Sequence, residues 1–147
     1  MSSSGVLSAP HSIEYTYTRS TGPAIGAFLT GLRDRLIVGT KGSDGRVLVP
    51  AVDYDPLTSD DLDELVEVAD VGVVTSWFWN DRPLAGQPLD HPFAWALVCL
   101  DGADTSMLAA VDAGDPARVS TGVRVQARWA EERVGSIRDL VCFEVMA

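Results

Sequence analysis

The chain of 147 residues has two cysteines and two histidines. Cys99 and Cys142 stand alone in apolar, strand-like segments, so they read as small core residues and no disulfide framework is expected. His11 and His91 lie eighty residues apart, which is no metal-ligand spacing and a weak catalytic signal. For His91, a loop role stands beside ligand contact. Basic residues are scarce too: eleven Lys and Arg against twenty-one Asp and Glu leave a net charge of −10. Such a surface repels phosphate backbones and anionic membranes, so nucleic acid is not expected as a partner. The longest apolar run is the eight residues Phe93 to Leu100, far short of the roughly 20 that cross a bilayer. No membrane span is expected. Met1 to Ser12 lacks the basic start and apolar core of a signal peptide, and reads as a mobile leader of a cytoplasmic protein. Also missing are a glycine-rich phosphate loop and a Gly-x-Ser-x-Gly elbow. The acidic run Asp53, Asp55, Asp60, Asp61, Asp63 and Glu64 reads as a solvated face, with no two carboxylates spaced for acid/base work.

What is present is β-rich. From Phe93 to Leu100 both side-chain parities are apolar, as in a strand covered on both faces. Pro92 sets its start, and Asp101-Gly102 ends it in a turn. Ser106 to Asp112 then folds back as a hairpin partner. Val71 to Trp79 is rich in β-branched and aromatic residues. Val123, Val125, Ala127 and Trp129 alternate with Arg124, Gln126 and Arg128, which predicts an inside/outside strand. A last strand runs from about Arg138 to Val145. Five strands from Val71 onward are the number that a small OB barrel requires.

Before the barrel, Glu14 to Arg19 alternates β-formers and fits an extended arm. Ser20-Thr21-Gly22-Pro23 predicts a helix start with a capping hydroxyl, and Ile25, Phe28, Leu29, Leu32 and Leu36 carry one helical face to about Arg35. A lone helix of that length must bury its apolar face against the barrel or a partner. Leu36 to Thr40 and Arg46 to Pro50 flank the turn Gly42-Ser43-Asp44-Gly45 and predict a hairpin, and Leu65 to Val68 is a short strand candidate. Three segments follow: 1–19 as flexible leader and arm, 20–64 as helix and hairpin, 65–147 as barrel. In Trp77-Phe78-Trp79, alternation sends the tryptophans to one face and Phe78 to the other. They are either a cap on the barrel mouth or a contact surface.

The helix, the Asp44-Gly45-Arg46-Val47 knuckle, Gly72-x-Val74-x-Ser76-Trp77, the run Pro92 to Gly102, and Thr121-Gly122-Val123-Arg124-Val125 together resemble the acyl-CoA-associated OB-fold family, long catalogued as a domain of unknown function. The likeness covers roughly Gly22 to Phe143. That family joins an N-terminal helix, a rubredoxin-like zinc ribbon and an OB barrel, and its members accompany thiolase-superfamily enzymes. Where the family places two Cys-x-x-Cys knuckles, this chain has Lys41 and Asp44, then Asp55 and Thr58. A zinc site with thiolate or imidazole ligands is therefore not expected, and the knuckle should hold by packing of Val38, Leu48 and Val49 alone. The cysteine-free form, with Trp77, Trp79 and Gly102-Ala103-Asp104, is similar to the actinobacterial branch, whose members pair with lipid-transfer-protein-like thiolase-fold aldolases in steroid side-chain degradation. Some are fused to a hydratase of the MaoC type, for which this chain has no room.

The fold expected is mainly β: a five-stranded OB barrel preceded by an N-terminal helix and a small zinc-free ribbon hairpin. The resemblance implies a non-catalytic subunit that binds and stabilises a thiolase-fold aldolase cleaving a steroid side-chain acyl-CoA, in a heterotetramer of two aldolase chains and two of these. No catalytic residue, cofactor or metal is assigned to the chain itself, and acyl-CoA is shared with the partner. Trp77, Trp79, His91 and Phe93 are the candidate contacts to partner or CoA. The alternatives are an independent acyl-CoA or lipid-binding module and, against the charge, an OB-fold nucleic-acid binder, whose groove would be basic and aromatic together.

Overall fold

The computed structural model describes residues 5–147. Of the expected leader, residues 1–4 lie outside the described residues. Residues 5–22 form neither helix nor strand, and Ile13, Tyr15 and Tyr17 are exposed. One helix, α1 (Pro23–Arg33), precedes eight strands: β1 (Ile37–Lys41), β2 (Val47–Leu48), β3 (Leu65–Val68), β4 (Val71–Asn80), β5 (Phe93–Leu100), β6 (Met107–Asp112), β7 (Arg124–Trp129) and β8 (Leu140–Val145). β4, β5, β6, β8 and β7 close a barrel in that order, while β2, β1 and β3 form a separate sheet. This is the expected OB barrel behind a helix and a small hairpin. Among the described residues no helix is long and apolar enough to cross a membrane.

The helix start differs from expectation in its cap. Neither Ser20 nor Thr21 caps it; the cap position is Gly22, at φ 79°, a left-handed conformation that glycine adopts without a Cβ penalty. Ala24 N–H donates instead to Asp53 Oδ1 at 2.9 Å, so the cap comes from a residue distant in sequence. The helix buries Ala24, Phe28 and Leu32, whereas Ile25 and Leu36 stay exposed. Leu65 to Val68, grouped with the barrel by sequence, instead pairs with β1 from Ile37↔Val68 to Thr40↔Leu65. That gives the hairpin a third strand and the apolar support a two-stranded ribbon lacks.

The knuckle does not hold by packing alone. The Asp55 carboxylate, 3% exposed, accepts from Ser43 N at 2.8 Å, Leu57 N at 2.8 Å and Thr58 N at 3.3 Å. Asp60 accepts from Ser43 Oγ at 3.0 Å and Thr58 Oγ1 at 2.8 Å. Two turns that a tetrahedral metal would otherwise join are thus joined by hydrogen bonds. Lys41 pairs with Glu64 and Asp44 with Arg46, so the donor set at these positions does not fit zinc.

The Ser43 and Leu57 N–H groups hold the Asp55 carboxyl below its ordinary value. A lowered folded value means that the contribution is present above about pH 4 and fades as the pH falls through it. Asp55→Ala is expected to lower the melting midpoint by about 5 °C or more at neutral pH, with the gap to wild type narrowing in acid. A gap unchanged from pH 7 to pH 3 would show that the charge plays no part.

The turn between β5 and β6 stitches the sheet to the barrel. Asp104 accepts from Val47 N at 2.8 Å and returns its own N–H to Val47 O at 2.9 Å; Thr105 Oγ1 accepts from Val49 N at 2.8 Å. At the same end of β5, Gly72 lets β4 cross closely, since a Cβ there would lie 2.2 Å from Cys99 O. One buried cluster runs from Phe28 and Leu32 of α1 through Ile37 and Val49 to Val74, Val98, Val111, Val125 and Phe143 of the barrel.

Candidate functional site: an apolar outer face of the barrel

Strand parity decides which side chains reach the outside. β4 opposes β5 with Val74↔Val98, then a bulge, then Ser76↔Leu97, Trp77↔Ala96, Phe78↔Trp95 and Trp79↔Ala94. Ala94, Ala96 and Val98 belong to the main core, so Trp77 and Trp79 point inward beside them and Ser76 and Phe78 outward. β6 continues the rows through Trp95↔Ala110 and Leu97↔Leu108. The outer rows are therefore Phe78–Trp95–Ala110 and Ser76–Leu97–Leu108. Exposures of 60% for Phe78, 41% for Leu97 and 64% for Leu108 leave this face uncovered, which is unusual for large apolar side chains side by side.

The same face runs into a groove of about 500 Å³. Its walls are the connector 81–92 and the loop that bears Ile137 and Arg138; Pro88, Trp95, Ala110 and Val141 also line it. A second small core of Leu89, Phe93, Ala110 and Cys142 lies beneath, with Trp95 and Val141 against it. Phe93 meets Trp95 edge to face at 5.1 Å between ring centroids, a preferred aromatic geometry. Burial pushes the Cys142 thiol up to about 11, so it stays neutral and unreactive. Cys99 is half-buried and donates to Ala103 O. The loop is tied to Asp139: its carboxylate, in a residue 2% exposed, accepts from Val134, Gly135 and Ser136 N–H at 2.7–3.1 Å. On the connector, Gln87 Oε1 accepts from Asn80 Nδ2 and Leu84 N. In OB barrels the second and third strands, with the loops beside them, form the usual ligand face. Here those strands are β5 and β6.

Next to the groove is a charged chain. His91 Nε2 lies 3.1 Å from Asp112 Oδ1 and Nδ1 3.3 Å from Asp90; Asp112 Oδ2 accepts from Arg128 Nη2 at 2.8 Å, and Arg128 also pairs with Glu144. The Asp112 hydrogen bond, then that of Asp90, raises the His91 pKa. Burial opposes ionisation of Asp112, but the bonds from Arg128 and His91 outweigh it and keep the carboxyl low. A raised histidine adds stability that is complete below about pH 6.5 and lost as the pH rises through its folded value. The melting difference between wild type and His91→Asn is therefore expected to shrink from pH 5.5 to pH 8.5; a constant difference would show that the imidazolium is not held.

The four sequence candidates separate. Phe93 is 0% exposed and forms the floor beneath the groove. Trp77 and Trp79 are half-buried against the main core, so they fill the barrel rather than present a free face. His91 is exposed and hydrogen-bonded to Asp112 and Asp90. The outward residue of the aromatic triplet is Phe78. Leu97, Leu108, Ile137 and Arg138 were not singled out by sequence, although the two apolar parities of Phe93 to Leu100 already placed apolar groups outside the barrel as well as in it. Among the described residues no His, Cys, Asp and Glu cluster is arranged to hold a metal ion.

No curated protein matches the chain. Among solved structures, a DUF35-family protein of unknown function from Sulfolobus solfataricus is 23% identical, with a TM-score of 0.61 over 85% of each chain. The Ltp2-ChsH2(DUF35) aldolase is 19% identical, with a TM-score of 0.63 over 87% of this chain and 98% of that one. Residues 65–130 match the family model of the ChsH2 C-terminal OB-fold domain. Residues 65–130 are thus similar to the ChsH2 C-terminal OB-fold domain, in a chain with the overall fold of the DUF35 proteins.

Proposed function

We propose that this chain is an accessory subunit of a thiolase-fold aldolase, and that it supports retro-aldol cleavage of a steroid side-chain acyl-CoA without contributing a catalytic group of its own. The observation that carries the reading is the uncovered apolar face of Phe78, Leu97 and Leu108, whose adjacent exposed apolar side chains, one of them aromatic, suit the centre of a protein interface. Its likeness to a fold found in an Ltp2-ChsH2 aldolase supports the kind of partner. Two copies of each chain form the working complex, in the cytoplasm, and the aldolase supplies the acyl-CoA site, with this barrel closing one side of it. The test is to express the aldolase with and without this chain and to follow release of the acyl-CoA product. Soluble, active enzyme is expected only from co-expression. Full activity of the aldolase alone would overturn the subunit reading.

A further inference from the structure

We propose that the groove between the connector 81–92 and the Ile137–Arg138 loop is a binding site for an aliphatic monocarboxylate, with the chain against Trp95, Ala110, Ile137 and Val141 and the carboxylate on Arg138. Its volume of about 500 Å³ falls within the roughly 300–1,000 Å³ of small-molecule sites, which are mostly apolar with a few polar groups that set orientation. Arg138 lines this groove and is exposed. Among the described residues it has no ion-pair partner; Arg19, Arg35, Arg82, Arg118 and Arg133 have none either, but none of these lines the groove. A lone guanidinium at the rim of an apolar groove, in a chain of net charge −10, recognises one carboxylate by its fork of donors. The surrounding negative charge disfavours a polyanion there.

Both walls are formed before any ligand arrives. Asp139 locks the loop through three backbone N–H groups, and Gln87 locks the connector, so little ordering cost attends binding. The site is distinct in its demands from the docking of an aldolase, because it needs no second protein.

The experiment titrates dodecanoate, dodecan-1-ol and dodecylammonium, each below its micellar range, into the purified full chain by calorimetry, with tryptophan fluorescence as a second readout. Saturable one-to-one binding of dodecanoate is expected, with dodecan-1-ol weaker by about tenfold or more and dodecylammonium weaker still. Arg138→Gln should bring dodecanoate to the level of the alcohol and leave the alcohol unchanged. Ile137→Glu should abolish both with the melting midpoint kept; if it disturbs the fold, the ligand series and Arg138→Gln still decide. Absence of saturable binding, equal affinity for dodecylammonium, or a dodecanoate affinity unmoved by Arg138→Gln would each overturn the proposal. Because no aldolase is present, its failure leaves the subunit reading untouched.

Discussion

Phe93→Ala is expected to destabilise the isolated chain by about 3–5 kcal/mol, the cost of removing a buried phenyl ring and leaving a cavity. Phe93 is 0% exposed, rests edge-on against Trp95 and shares its cluster with Leu89, Ala110 and Cys142. The connector 81–92 covers this cluster from outside, so collapse around the cavity would have to move Leu89 and its loop. Urea denaturation of wild type and variant checks it, and Phe93→Leu, which retains much of the volume, should lose clearly less. A loss below about 1 kcal/mol for Phe93→Ala would mean that the ring is not packed as described. The same variant should also loosen the groove, since Trp95 would lose its aromatic support.

Phe78→Asp is expected to do the reverse: to leave the isolated chain within about 0.5 kcal/mol of wild type and to weaken its complex with the aldolase at least about thirtyfold. The ring is 60% exposed and sits in a row with Trp95 and Ala110, the setting of an aromatic anchor. Truncation of a central anchor costs about 2 kcal/mol or more, and a carboxylate in its place adds desolvation. Trp79→Ala is the internal contrast, because Trp79 packs against the main core and its loss should lower the melting midpoint of the chain before any partner is added. Affinity by titration calorimetry, read beside thermal melts, separates the two. If Trp79→Ala cut affinity without moving the melt while Phe78→Asp bound normally, the docking face would lie on the other side of β4.

The features legible in the sequence are those written in local periodicity. β5 runs from Phe93 to Leu100 as Pro92 and Asp101-Gly102 bound it, and Val125 and Ala127 of β7 face the barrel while Arg124 and Gln126 face out. The helix was legible for the same reason, its Phe28 and Leu32 recurring at helical spacing. What sequence reading missed depends on partners far along the chain. Asp53 caps a helix 29 positions away, and Asp55 joins turns 12 positions apart. The inward turn of Trp77 is set by a bulge between Val74 and Ser76, which shifts the parity of every residue after it and has no local signature here. The groove was hidden in the same way, since its walls come from the connector, β5, β6 and the loop before β8 and meet only after the barrel closes.

The stitch between Val47 and Asp104 bears on where this chain can be divided. With the helix, the small sheet and the barrel sharing one buried cluster, and with Val47 N–H and Asp104 N–H exchanged across the boundary, a cut between the small sheet and the barrel is expected to leave neither part self-sufficient. The stretch 65–130 that matches the ChsH2 C-terminal OB-fold model omits β8, whose pairing with β6 and β7 closes the ring. The matched stretch and the closed barrel are therefore different lengths of the same chain, and the transition from native to unfolded should embrace helix, ribbon and barrel together.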